Sequence, residues 1–160
     1  MDKYCFKIEG VEKFQNIHEL EEVLNILNNE AWDLPVLKKG QPFRTELAKK
    51  IYHSGEMIAL RRNDEKIGFA AFYCNDYINK IGFLSLFAIN KDYRGKGYAH
   101  NIFQTVIQTM RESGMNFLKL EVRKDNRKAI SFYKKEGLRI VLDDEETIYM
   151  VKDISCYEEF

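Results

Sequence analysis

Residues 81–99 read Ile81-Gly82-Phe83-Leu84-Ser85-Leu86-Phe87-Ala88-Ile89-Asn90-Lys91-Asp92-Tyr93-Arg94-Gly95-Lys96-Gly97-Tyr98-Ala99. The run from Ile81 to Ile89 is apolar at nearly every position except Ser85, the pattern of a strand covered on both faces at the centre of a sheet. A charged, glycine-containing bend follows. Beyond it Ala99, Ile102, Phe103, Val106, Ile107 and Met110 recur at the spacing of one helix face, and Gly114 marks the stop. In an α/β protein the junction of a central strand with the next helix is where a site is usually built.

Gly95 and Gly97 let the backbone of the bend come close to a ligand, and the helix start offers unpaired N–H groups with partial positive charge. With Arg94 and Lys96 alongside, this is a natural seat for phosphate. A glycine turn between a strand and a helix also forms without any ligand, so the spacing leaves both readings open. His100 stands where a dinucleotide-binding G-x-G-x-x-G would need glycine, and no G-x-x-x-x-G-K-S/T loop is present. Both nucleotide readings are therefore weak.

Upstream, Met57–Leu60 and Ile67–Tyr73 read as strands, with turns at Arg62–Glu65 and near Asn79-Lys80, so consecutive antiparallel pairing is expected. Before them Ile17, Leu20, Val23, Leu24 and Leu27 predict a first helix, with Glu19, Glu21 and Glu22 near its start. Residues 28–42 read as irregular, residues 43–53 as a second helix ended by Gly55, and Tyr4–Ile8 as a short opening strand. Downstream, Phe117–Val122 predicts a strand. Asp125 or Asn126 then caps a helix running to Lys135, with Ala129, Ile130 and Tyr133 on its apolar side and Gly137 as terminator. Leu138–Leu142 and Thr147–Lys152 predict two closing strands around the acidic turn Asp143–Glu146. With no repeat or linker, residues 1–160 are expected to form one α/β domain.

Composition narrows the function. The 160 residues are 45% hydrophobic and 31% charged, enough for a packed core. Twenty-five Lys and Arg balance twenty-five Asp and Glu, so the charge implies neither nucleic acid nor a membrane surface as partner. Cys5, Cys74 and Cys156 lie far apart with no C-x-x-C spacing, which indicates neither a disulfide framework nor a metal site. No run approaches the roughly 20 apolar residues of a membrane span, and none near Met1 has the length of a signal peptide. The expectation is a cytoplasmic, soluble protein. Ser85 lacks a G-x-S-x-G elbow, so a serine hydrolase is a poor reading.

Two blocks together carry a resemblance. Arg94-x-x-Gly97-x-Ala99 is similar to the Arg/Gln-x-x-Gly-x-Gly/Ala loop of the GCN5-related N-acetyltransferase (GNAT) superfamily. Leu120-Glu121-Val122 through Asn126, Ala129, Tyr133, Gly137 and Leu138 resembles its second signature, L-x-V-x-x-x-N-x-x-A-x-x-x-Y-x-x-x-G-F, departing only at Leu138, which replaces an aromatic. Lys91 stands where many relatives carry proline. The resemblance covers residues 56–152; the first fifty-five residues match only in helical character.

It implies an α/β (α+β) GNAT fold: a mixed, mostly antiparallel sheet of about six to seven strands, splayed at the fourth and fifth and flanked by about four helices. It implies an acetyl-CoA-dependent N-acyltransferase, with Phe87, Ala88 and Ile89 lining the splay and Arg94, Gly95, Lys96, Gly97, Tyr98 and Ala99 cradling the pyrophosphate, and no metal. Asn126 would touch the cofactor arm or only cap its helix. Tyr133 matches the family tyrosine that protonates the departing thiolate, although by pattern alone it is also a core residue. Glu121 is the candidate base for the amine, with a solvated or salt-bridged glutamate as the plain alternative; His100 and His53 are weaker candidates. Trp32, Asp33, Phe43 and Tyr52 fall where many relatives build the acceptor wall and suit core or loop equally.

For the acceptor, the neutral charge balance ranks a small amine or amino sugar first, and Glu121 raises a protein N-terminal amine or lysine as the alternative. A CoA-binding regulatory domain without turnover is the rival from another class. Asp143–Glu146 and Tyr157–Phe160 either contribute to a homodimer contact or face water.

Overall fold

The computed structural model describes residues 11–14 and 16–155. The chain runs β1 (Val11–Lys13), α1 (Ile17–Leu27), a short 3-10 helix (Pro35–Lys39), α2 (Gln41–Ser54), β2 (Gly55–Arg62), β3 (Glu65–Asp76), β4 (Ile81–Ile89), a second 3-10 turn (Lys91–Tyr93), α3 (Tyr98–Glu112), β5 (Phe117–Arg123), α4 (Arg127–Lys135), β6 (Arg139–Asp143) and β7 (Thr147–Asp153). The strand expected at Tyr4–Ile8 lies outside the described residues. No helix among the described residues is long and apolar enough to cross a membrane.

The seven strands among the described residues form one sheet in the order β1-β2-β3-β4-β5-β7-β6. Every pair is antiparallel except β4 with β5. Helices cover both faces. α1 and α2 bury Leu20, Val23, Leu24, Leu27, Ala48 and Ile51 against Met57, Ala59, Phe69 and Ala71 on one side. On the other, Ile102, Phe103, Val106, Ile107 and Met110 of α3 pack on Ile58, Phe72, Leu84, Leu118 and Leu120. α3 sits very close to β4: a Cβ at Gly82 would lie 2.5 Å from Met110 Sδ, so a side chain there would force the buried Met110 to move.

One departure from plain alternation shapes the middle of the sheet. Ala71 pairs with Leu86 and Phe72 with Leu84, leaving Ser85 as an extra residue in β4. This bulge reverses the phase of the strand: Leu84 faces α3, and two residues on Leu86 faces the α1–α2 layer. A bulged strand bends, and the consequence is visible at once. The parallel ladder with β5 ends at Leu84↔Leu120, whereas β5 continues alongside β7 to Arg123. From Ser85 to Ile89, β4 therefore borders an opening.

Candidate functional site

The phase of the strand determines which groups face that opening. Asn90 N–H donates to the Ile67 carbonyl at 2.9 Å, so Asn90 and, by alternation, Ala88 turn their peptide groups towards β3. Those of Phe87 and Ile89 turn the other way. The Ile89 carbonyl accepts from Arg94 Nε at 3.0 Å, leaving the Phe87 peptide and the Ile89 N–H on the splayed side without a strand partner. Of the three residues expected to line the splay, two present backbone to it, and Ala88 contributes its methyl group to the α1–α2 core.

The bend beyond β4 is tightly built. Asn90 Oδ1 accepts from Asp92 N–H at 3.0 Å, and Lys91 N–H donates to the Ala31 carbonyl at 2.9 Å. Arg94 also reaches the Trp32 carbonyl through Nη2 at 3.4 Å, so its guanidinium anchors the bend to the α1–α2 connection. Gly95 and Gly97 sit at φ +74 and +87, a region costly for other residues, while nothing lies within 4 Å of where their Cβ atoms would be. Glycine is required here by backbone conformation. α3 has no side-chain cap, and its first internal bond runs from Asn101 N–H to the Gly97 carbonyl. The N–H groups of Tyr98, Ala99 and His100 precede that bond and carry the positive end of the helix dipole beside an exposed Lys96.

On the far side of the opening, Asn126 Oδ1 accepts from Ala129 N–H at 3.2 Å and caps α4; capping is the role its geometry displays. Tyr133, about two turns on from Asn126, is 8% exposed and packed against Phe87, Phe103 and Phe132 with ring centroids 5.5–6.3 Å apart. Burial pushes its phenol well above the ordinary value of 10. Glu121 occupies the opposite face of the sheet: Leu118, Leu120 and Val122 are buried under α3 and α4, whereas Glu121 is exposed beside its cross-strand neighbour Tyr149. The two candidate proton-transfer groups thus flank the opening from its two sides.

Other candidates are accounted for elsewhere. His100 Nδ1 lies 2.7 Å from Glu136 Oε1, tying the start of α3 to the end of α4. Trp32 is buried edge-on to Phe69 and belongs to the core, while Tyr52 is half-exposed against His53. Sequence reasoning missed a groove on the outer side of α4 lined by Arg127, Ile130, Ser131, Lys134 and Lys135. Their spacing of three to four residues puts three cations on one helix face, a signal available to anyone counting turns. It also missed the bulge at Ser85.

A splayed β4–β5 pair, an uncapped helix after a glycine bend and a tyrosine-bearing α4 make a combination that comparison can test. The model of the acetyltransferase (GNAT) family matches residues 20–138. The chain belongs to this family. Among curated GNAT relatives, N-alpha-acetyltransferase 30 of Schizosaccharomyces pombe is 34% identical over 79 residues, 47% of this chain and 51% of that protein. The chain spans about half the length of the curated relatives it matches. The crystal structure of aminoglycoside 6'-acetyltransferase type Ii has a TM-score of 0.74 at 17% identity, over 92% of this chain and 99% of its own. That of the ribosomal-protein-S18-alanine N-acetyltransferase from Escherichia coli has a TM-score of 0.70 at 19% identity, over 93% and 97%. These neighbours share the GNAT fold described above.

Proposed function

We propose that the protein is an N-acetyltransferase that moves the acetyl group of acetyl-CoA to a primary amine by direct attack. The observation that carries this reading is the opening between β4 and β5, bordered by the Phe87 peptide and the Ile89 N–H, which have no strand partner among the described residues, and leading to the uncapped start of α3. A long, narrow ligand with an anionic middle fits those features in sequence. The Phe87 and Ile89 peptides would bond its extended arm, the N–H groups of Tyr98, Ala99 and His100 its pyrophosphate, and Lys134, Lys135 and Arg127 offer charge for a further phosphate. Bound acetyl-CoA supplies an activated thioester.

The chain's own residues do the rest. A backbone N–H at Phe87 or Ile89 can stabilise negative charge developing on a carbonyl oxygen, an effect worth about 3–4 kcal/mol where one such donor has been removed. Glu121 takes a proton from the attacking amine, directly or through water. Tyr133 gives its proton to the departing sulfur. One nitrogen–carbon bond forms, one carbon–sulfur bond breaks, and solvent returns a proton to Tyr133 and removes one from Glu121, so charge and atoms balance.

For the acceptor, the curated relatives support the α-amine of a polypeptide, since N-alpha-acetyltransferase 30 is named for that chemistry. The neutral charge balance of 25 against 25 keeps a small amine or amino sugar as the second reading. A panel decides between them: thiol release from acetyl-CoA is followed with a tetrapeptide bearing a free N-terminal alanine and with glucosamine. Turnover with the peptide is expected. Binding of acetyl-CoA in calorimetry with no thiol release from either acceptor would favour a non-catalytic CoA-binding domain.

Glu121→Gln is expected to lower turnover about tenfold, below the usual range of about 10²–10⁴ for general-base effects, because an exposed position lets water accept the proton in its place. Acetyl-CoA affinity should stay unchanged. An unaltered rate would return Glu121 to the surface residue its exposure permits.

A further inference from the structure

The mechanism leaves Ser85 unused, yet the bulge puts it at a particular point. Leu84↔Leu120 is the last pair of the β4–β5 ladder, so Ser85 and Glu121 are the next step on each strand, at the first position beyond the junction. Glu121 points to the α1–α2 face, opposite Leu120. Ser85, between Leu84 on one face and Leu86 on the other, is half-buried and adjoins Tyr73 of β3, which belongs to the α1–α2 core.

Tyr73 is the second observation. It is 7% exposed, and its hydroxyl is buried with no well-formed hydrogen bond among the described residues, while the Ser85 hydroxyl adjoins it. A phenol kept out of water without a formed hydrogen bond is unfavourable, and the adjoining Ser85 oxygen is an acceptor it can use. Burial pushes its ionisation upward and the neighbouring Ser85 hydroxyl opposes that in part, so the phenol keeps its proton and is available as a donor. Lys50 Nζ lies over its ring at 5.0 Å, and a Cβ at Gly55 would stand 2.7 Å from it, so the ring has little freedom to leave.

We propose that Ser85, oriented by the Tyr73 hydroxyl, is a positioning residue that holds the acceptor amine at the mouth of the opening together with Glu121. A serine oxygen has two lone pairs. Tyr73 donates to one, and the other accepts an N–H of the amine, whose second N–H goes to the Glu121 carboxylate. Two acceptors on one side direct the nitrogen lone pair into the opening, towards the Phe87 and Ile89 backbone. The arrangement requires two N–H groups, so primary amines are selected over secondary ones.

This inference rests on the acetyltransferase reading, and the experiment separates the two. Ser85→Ala, Tyr73→Phe, the double variant and Ser85→Thr are assayed with acetyl-CoA and the alanine tetrapeptide or glucosamine, whichever the wild-type protein acetylates. The same acceptor is titrated calorimetrically into the protein saturated with CoA. Each single Ala or Phe variant is expected to raise acceptor KM and weaken acceptor binding about tenfold, the effect of one hydrogen bond, with kcat within about threefold. The double variant should be no worse than Ser85→Ala alone, Ser85→Thr should retain affinity, and acetyl-CoA affinity and melting temperature should hold throughout. Unchanged acceptor binding in the single variants, additive losses, or an equal loss of acetyl-CoA affinity overturns the proposal alone. No turnover of either acceptor by the wild-type protein overturns the acetyltransferase reading with it.

Discussion

Replacing Tyr133 with phenylalanine should cut turnover by about 10²–10³-fold, the range for loss of a positioned general acid. Acetyl-CoA should bind as before. The substitution removes one oxygen from a ring held by Phe87, Phe103 and Phe132, and the ring contacts that seat α4 against β4 survive it. Stability should therefore change by less than about 1 kcal/mol. Because burial raises the phenol above 10, Tyr133 carries its proton throughout the range of about pH 6–9, and the wild-type rate should show no alkaline fall from its ionisation there. Single-turnover thiol release measured against pH, on wild type and variant with acetyl-CoA saturating, checks both statements. A variant retaining more than half the wild-type rate would make Tyr133 a core residue only.

Phe103→Ala should destabilise the protein by about 3–5 kcal/mol, the cost of emptying a large buried aromatic site. Phe103 is 0% exposed and meets Phe87 edge-on at 6.0 Å and 87° and Phe132 at 5.8 Å and 84°, with Tyr133 at 6.1 Å. The cavity would open at the junction of α3, α4 and β4, where rigid elements leave little room to collapse. It would also loosen Phe87 and Tyr133, whose rings meet Phe103, so turnover should fall along with stability. Urea unfolding gives the free energy, and the melting temperature should drop by roughly 6–20 °C for a chain of this size. Ile78→Ala, at a position 93% exposed, serves as the control and should stay within about 0.5 kcal/mol of wild type. A loss below about 1 kcal/mol at Phe103 would contradict the packing described for this core.

Much of this architecture is local and could be read directly. α1 begins and ends where Ile17 and Leu27 mark its apolar stripe, with Asn16 Oδ1 accepting from His18 N–H as cap. α3 buries five of the six residues its periodicity nominates, with Ala99 partly buried, and Asn126 caps α4. The glycine bend announced its own backbone, because φ values of +74 and +87 are ones that glycine adopts freely. The bulge at Ser85 gave no such notice. A strand covered on both faces is apolar at every step, so a one-residue slip in phase leaves no trace in its pattern. Arg94 is a related case. Its charge beside two glycines reads as a phosphate contact, and only the fold shows that its Nε and Nη2 also reach the Ile89 and Trp32 carbonyls. β6 carries Ile140, Val141 and Leu142 as a core strand would, yet all three are exposed, since among the described residues β6 is the edge of the sheet and no helix covers it.

The order of helices and strands, the faces they bury and the conformation of the bend after β4 follow from residue spacing and from glycine, because those preferences act over a few neighbouring residues. Where β4 leaves β5, which peptide groups border the opening, and that Tyr133 and Glu121 stand on its two sides follow only from strand register and helix packing. Those are set by contacts between segments far apart in the chain, and a one-residue shift in register redirects every side chain beyond it.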